Sequence, residues 1–114
     1  MAQAFEHKRR CPRASYPLKV SCLGEYQVFE ARTDNFSLSG ACLRSPVEFS
    51  PGKSLGIIVK LPGLRKFSVI PAEVIWANAL DGSGGEYQYQ IGIKYLYLLP
   101  DLADNFRELF RILK

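Results

Sequence analysis

The sequence predicts a mainly β protein, an antiparallel barrel or sandwich of about six short strands followed by one amphipathic helix. Three observations support this fold class. Apolar and polar residues alternate with a period of two at both ends of the strand region, which is typical of strands with one face on a core. Turn-forming residues separate the apolar runs in between. Near residue 100 the period changes to that of a helix.

Two segments alternate cleanly. The first places Tyr16, Leu18, Val20 and Cys22 on one face, with polar residues between them. The second places six side chains on one face: Tyr87, Tyr89, Ile91, Ile93, Tyr95 and Tyr97. Further strand-like runs cover residues 26–33, 40–43, 55–61 and 67–77, and turn signals lie at 24–25, 37–40, 50–52, 62–63 and 81–85. Hairpin connections without helices between them favour an antiparallel architecture.

The last segment forms one helical stripe, composed of Leu102, Phe106, Leu109, Phe110 and Leu113. The preceding Pro100–Asp101 pair suits a helix start, because proline fits the first turn and aspartate caps free amide groups. We expect this stripe to pack on the open end or the side of the barrel, in preference to forming a dimer interface.

Composition and charge limit the function. The 114 residues are 47% hydrophobic and 23% charged, as in one ordinary globular domain. The net charge is +4, and residues 1–24 hold all of it, with five basic and one acidic side chain. The remaining residues are neutral, with ten charges of each sign. This distribution disfavours a basic face that follows nucleic acid and favours a small, local anion site.

The sequence lacks the residues that several functional classes require. The N-terminus has no apolar signal region and no segment is long enough to span a membrane, so we expect a cytoplasmic protein. Cys11, Cys22 and Cys42 have neither disulfide-framework nor zinc spacing, and Cys22 and Cys42 are predicted core residues. The single histidine is His7, so no catalytic site, metal site or cofactor is predicted. The glycine-rich run 81–85 lacks the lysine of a phosphate-binding loop and is predicted to join two strands.

Two short motifs stand outside the strand pattern. Arg9 and Arg13 lie four residues apart just before the first strand, and Asn35, Ser37 and Gly40 lie between the second and third. Together they resemble the signature of the PilZ domain family, RxxxR followed by (D/N)xSxxG. The agreement continues through residues 71–74 and 91–95, so the resemblance covers residues 7 to 97.

The resemblance implies a six-stranded antiparallel barrel with a helix near its C-terminal end. It also implies the ligand cyclic di-GMP, commonly bound by this family as an intercalated dimer. The implied ligand-binding residues are Arg9, Arg10, Arg13, Asn35, Ser37 and Gly40. Arg9 and Arg13 would bind phosphate or guanine, with Arg10 in support. Asn35 and Ser37 would hydrogen-bond the nucleotide, and Gly40 would supply a backbone angle or a close approach.

Arginine suits this ligand, because its planar fork binds phosphate or a guanine edge bidentately and stacks on a base. Pro12 disfavours helical geometry at the residue before it, so the two arginines are predicted to lie on extended or turned backbone. Four extended residues span roughly 13 Å, which would let Arg9 and Arg13 reach different parts of one nucleotide.

We therefore expect one domain with three parts: a flexible basic arm (1–15), a PilZ barrel (16–98) and a C-terminal helix (99–114). The leading hypothesis is a cyclic di-GMP receptor, not an enzyme, whose arm orders around the nucleotide and signals to an unidentified partner protein. An alternative is a PilZ-like adaptor that binds a protein and no nucleotide. A third is a nucleic-acid-binding barrel that stacks bases on the tyrosines of residues 87–97, although core packing explains those residues better.

Overall fold

A computed structural model describes residues 16–24, 27–61, 66–80 and 85–113. These ranges contain β1 (Lys19–Leu23), β2 (Val28–Phe36), β3 (Gly40–Ser45), β4 (Ser54–Val59), β5 (Ser68–Ala79), β6 (Tyr89–Tyr95) and α1 (Pro100–Leu113). The strands close into one barrel in the order β1-β2-β3-β6-β5-β4, and each neighbouring pair is antiparallel. The predicted barrel with a C-terminal helix is confirmed, and closure excludes the sandwich.

Antiparallel pairing sorts the strand ends into two groups. One end of the barrel holds the starts of β1, β3 and β5 and the ends of β2, β4 and β6. We call it the helix end, because α1 packs there against Phe36, the last residue of β2. The opposite, loop end holds the β3–β4 connection, where Phe49 contacts Phe29 with ring centroids 5.3 Å apart. The β2–β3 turn and the entry of the chain into β1 therefore share the helix end.

Alternation along the strands determines which side chains fill the barrel. In β1, Val20 and Cys22 are buried while Lys19 and Leu23 are exposed. The same pattern holds in the other strands, whose inward side chains include Ala31, Phe36, Ala41, Leu43, Leu55, Ile57, Val59, Ile70, Ala72, Val74, Ile91 and Ile93. The prediction that Cys22 and Cys42 are buried is confirmed, and Cys11 lies outside the described residues.

The predicted helical stripe is also confirmed. Leu102, Phe106, Leu109 and Phe110 are buried on one side of α1. The rings of Phe106 and Phe110 each lie 5.5 Å from the ring of Phe36. The stripe thus closes the end of its own barrel, as predicted.

Each predicted strand run differs from the observed strand by one to three residues at one end or both, and the differences in β6 and β2 affect named residues. β6 ends at Tyr95, and Tyr97 beyond it is 59% exposed, because the chain there leaves the barrel toward α1. Ile91 and Ile93 fill the core, as the alternation predicted. β2 continues to Phe36, beyond the predicted run 26–33, because the inward Phe36 packs against α1. Asn35 therefore belongs to a strand and not to the turn.

Candidate functional site

The turn between β2 and β3 is held by its own serine. The backbone N–H of Ser37 donates to the carbonyl of Gly40 at 2.8 Å. The Ser37 hydroxyl accepts from the N–H groups of Ser39 and Gly40 at 3.2 and 3.4 Å, and it lies 3.1 Å from the Ser39 hydroxyl. Ser37 is only 1% exposed. Its hydroxyl therefore organises the turn in this structure, as Ser side chains commonly do in turns.

Gly40 is required by the close approach of β6. A Cβ atom at this position would lie inside the contact distance of the Ile93 carbonyl oxygen and 3.1 Å from the Cα atom of Lys94. Both neighbours are backbone atoms of the paired strand, so neither can rotate away. Of the two explanations that the sequence offered for this glycine, close approach is the one that the geometry supports.

A β-bulge precedes the turn. The register of β2 against β3 shifts between Thr33 and Asn35, so Asp34 is the extra residue. The Asp34 carboxylate accepts the Arg44 Nε–H, which is shared between its two oxygens at 2.9 and 3.0 Å, and also accepts from Gln90 Nε2 at 2.8 Å. These bonds tie β2, β3 and β6 together on the outer surface. Asp34 is thus bound to protein side chains, and Asn35 is the residue that stands in the motif register.

Asn35 is the first of four residues that pair with one another across four neighbouring strands. It pairs with Cys42 on β3, Cys42 pairs with Gly92 on β6, and Gly92 pairs with Trp76 on β5. The indole of Trp76 lies on Gly92, where a Cβ would overlap the ring. At roughly 4.8 Å per strand, the row extends about 14 Å from the amide to the indole.

The sequence patterns place Trp76 and Gly92 in predicted strands but do not mark either as a functional residue. The available signal was a glycine inside a strand of alternating apolar and polar residues, which often marks the close approach of another group.

Arg32 of β2 contacts the aromatic ring of Tyr87. The guanidinium carbon of Arg32 is 5.4 Å from the centroid of the Tyr87 ring, within the range of a cation–π contact. Desolvation raises the pKa of Tyr87, and the neighbouring Glu86 carboxylate raises it further. Tyr87 therefore remains a neutral phenol at physiological pH. Its electron-rich ring faces the guanidinium group of Arg32.

The predicted arginines Arg9, Arg10 and Arg13 lie outside the described residues. The described chain begins at Tyr16, and β2 holds it there. The Thr33 hydroxyl donates to the Tyr16 carbonyl at 2.6 Å and accepts from the Leu18 N–H at 2.8 Å. The described chain therefore enters the barrel beside the bulge and the turn.

Two clefts in the described part of the molecule are lined by other residues. One of about 660 Å³ lies at the loop end, and one of about 570 Å³ lies beside the start of α1. Within the same residues, no group of three or more His, Cys, Asp or Glu side chains could hold a metal ion. No described helix is long and apolar enough to cross a bilayer.

Comparisons with known proteins agree with the motif and the fold. A family model described as PilZ domain matches residues 7–112. The inhibitor of motility MotI/DgrA of Bacillus subtilis is 18% identical, with a TM-score of 0.74, over 92% of this chain and 50% of that one. The PilZ domain of YcgR from Escherichia coli, solved with c-di-GMP, is 18% identical with a TM-score of 0.68, over 93% and 91%. The chain thus spans half of MotI and most of the YcgR domain. Comparison with curated proteins gives no match.

Proposed function

Because the chain belongs to the PilZ domain family, we propose that it is a bacterial receptor for cyclic di-GMP. The observation that carries the proposal is the anchoring of Tyr16 and Leu18 to Thr33, two residues before Asn35. This anchor fixes Tyr16, three residues after Arg13 in the sequence, beside the strand that leads into the (D/N)xSxxG turn. The described chain therefore begins at the end of the barrel that holds this turn.

Chain length supports the pairing of the two motifs. Arg13 is three residues before Tyr16 and Arg9 is seven before it. Extended backbone covers at most about 3.5 Å per residue, so these positions are within roughly 10 Å and 25 Å of the anchor. An arginine side chain adds further reach. Both guanidinium groups are thus able to meet a nucleotide that lies on Asn35.

The chemistry of the two partners is complementary. Cyclic di-GMP carries two phosphodiester anions and two guanine edges. Arg9 and Arg13 supply bidentate donors for either target, with Arg10 adjacent. Asn35 supplies an amide beside the turn, and an amide avoids the repulsion that a carboxylate would exert on phosphate. Ser37 and Gly40 shape the turn on which the nucleotide rests, and Ser37 is also a candidate for direct contact.

Signalling follows from this arrangement. Binding would order residues 1–15 against the helix end of the barrel and so change the surface offered to a downstream protein in the cytoplasm. The structural relatives are consistent with such an effector role, since they include an inhibitor of motility and a transcription regulatory factor, MrkH, described as c-di-GMP dependent. We assign no catalytic role to any residue.

Isothermal titration with cyclic di-GMP tests the proposal. The wild type should bind with micromolar or tighter affinity, and Arg9→Ala and Arg13→Ala should each abolish the binding heat. Asn35→Ala should weaken binding at least tenfold, which corresponds to about 1.4 kcal/mol. Arg107→Ala is the matched control, because Arg107 is an exposed arginine paired with Asp104 on the outer side of α1. Absence of heat with a folded wild type contradicts the proposal.

The adaptor alternative makes opposite predictions. It requires that cyclic di-GMP leave the melting temperature unchanged and that capture of a partner survive Arg9→Ala. Under the receptor proposal, a ligand present at 100 times its Kd stabilises the fold by about 2.7 kcal/mol. A thermal melt with and without nucleotide therefore separates the two functions.

A further inference from the structure

Part of the outer surface of β1, β4 and β5 is apolar, whereas a solvated sheet face is usually polar. Leu23 is 36% exposed, Val69 is 54% exposed and Pro71 is also exposed. Gly56 pairs with both Leu23 and Pro71, and Ile58 pairs with Val69. These five residues are therefore neighbours, and we call them the apolar face. Barrel order puts β1, β4 and β5 opposite β2, β3 and β6.

Gly56 gives the apolar face its shape. A Cβ atom at this position would lie 3.6 Å from Leu23 Cδ1 and 3.9 Å from Val69 Cγ1. The two side chains thus stand on either side of a residue that has none, and they form a groove about one side chain wide. Leu23 and Gly56 also line the cleft of about 660 Å³, so the groove continues toward the loop end.

The border of the apolar face is basic. Lys19, Lys60 and Lys66 are exposed at its helix-end side, and none of them pairs with a carboxylate in the part of the chain that the structure describes. On the other side, Glu73 lies 3.7 Å from Lys94, which neutralises it. A twofold dimer through this face would bring two basic borders into one interface. An acidic partner is therefore favoured over a second copy of this chain.

Closure of the barrel restricts how a partner can bind. Each of β1, β4 and β5 already has a strand on both sides, so no free edge is available for strand addition. A helix laid across the strands fits better, because its turns repeat every 5.4 Å or so and strands repeat at about 4.8 Å. Successive apolar side chains of such a helix would meet successive strands.

We propose that the apolar face binds an amphipathic helix of a partner protein, with an apolar stripe over Gly56 and acidic residues against Lys19, Lys60 and Lys66. This surface requires only the barrel. Its failure to bind and a failure of nucleotide binding are therefore separate results, measured on opposite halves of the molecule.

The test uses two synthetic helix-forming peptides of equal length, both with a leucine stripe, one flanked by glutamate and the other by lysine. Titration into the isotopically labelled protein is followed by NMR. The glutamate peptide should shift the amides of Leu23, Gly56 and Val69, with a Kd on the order of 100 μM. Val69→Asp and, separately, Leu23→Ser should each weaken binding at least tenfold. Ile112→Asp is the control, since Ile112 is 64% exposed on α1.

Charge is tested separately. The double substitution Lys19→Glu and Lys60→Glu should weaken binding of the glutamate peptide and strengthen binding of the lysine peptide. Three results would overturn the proposal. One is the absence of shifts, or shifts confined to other surfaces. Another is that neither peptide binds, while the protein binds vesicles of phosphatidylcholine and phosphatidylglycerol and Val69→Asp abolishes this vesicle binding. The last is a dimer in sedimentation equilibrium that the same substitution dissociates.

Discussion

Thr33 binds the start of the described chain through one oxygen atom. Its hydroxyl donates to the Tyr16 carbonyl at 2.6 Å and accepts from the Leu18 N–H at 2.8 Å, and the residue is only 4% exposed. Since Leu18 O also accepts from the Thr33 N–H at 2.9 Å, residues 16–18 are held by three hydrogen bonds to one residue of β2.

Thr33→Val should release this segment. The substitution keeps the shape of the side chain but leaves the Tyr16 carbonyl and the Leu18 N–H without their partner. We expect a loss of about 1–3 kcal/mol in the free energy of unfolding. Exchange of the Leu18 amide hydrogen should accelerate at least tenfold. Thr33→Ser, which keeps the hydroxyl, should leave that exchange slow, and equal exchange rates in the two variants would contradict the assignment.

Gly40→Ala should destabilise the barrel far more than Gly56→Ala, although both glycines lie in strands. The new methyl group at position 40 meets backbone atoms of Ile93 and Lys94, so β3 and β6 must separate. We expect a loss of about 3 kcal/mol. At Gly56 the nearest atoms are 3.6 Å away, so the change should cost less than about 1 kcal/mol. Urea denaturation of the two variants measures the difference. Similar midpoints would contradict the expectation, because they would mean that β6 moves aside without a loss of stability.

Gly92→Ala should displace the indole of Trp76. A methyl group on Gly92 would occupy the position of the ring, which can move because it lies on the outer surface. Trp76 is the single tryptophan of the chain, so its fluorescence reports this movement directly. We expect emission at longer wavelength in Gly92→Ala with only a modest loss of stability. Unchanged emission would mean that the ring does not depend on this glycine.

Alkaline pH should destabilise the fold through Cys22. Burial raises the pKa of its thiol from 9.0 to about 12, so the folded state keeps a proton that the unfolded state loses. Stability from this group is complete below pH 9 and declines as the pH rises from 9 toward 12. Urea denaturation across this range should show a decline that is smaller in Cys22→Ala. An identical decline in both proteins would assign it to other groups.

The sequence predicted those parts of the molecule that depend on local periodicity. Alternation located the inward side chains of β1 and β6, and the 3.6-residue stripe located Phe106 and Phe110. These patterns are visible because each residue faces the same environment as its neighbour two, three or four positions away.

Features that depend on pairing between distant residues could not be predicted in this way. The bulge at Asp34 exists only relative to β3, and its carboxylate finds Gln90, a residue 56 positions away. Trp76 meets Gly92 through a second register shift in β5. The motif also gave no sign that Ser37 would be buried within its own turn.

Phe36 occupies an unspecified position of the motif, between Asn35 and Ser37, yet its ring packs against α1. Its side chain points into the core while its neighbours form the candidate binding surface. Any displacement of this turn must move the Phe36 ring and, through it, Phe106 and Phe110. Occupancy of the turn should therefore be detectable as a change in the packing of the C-terminal helix.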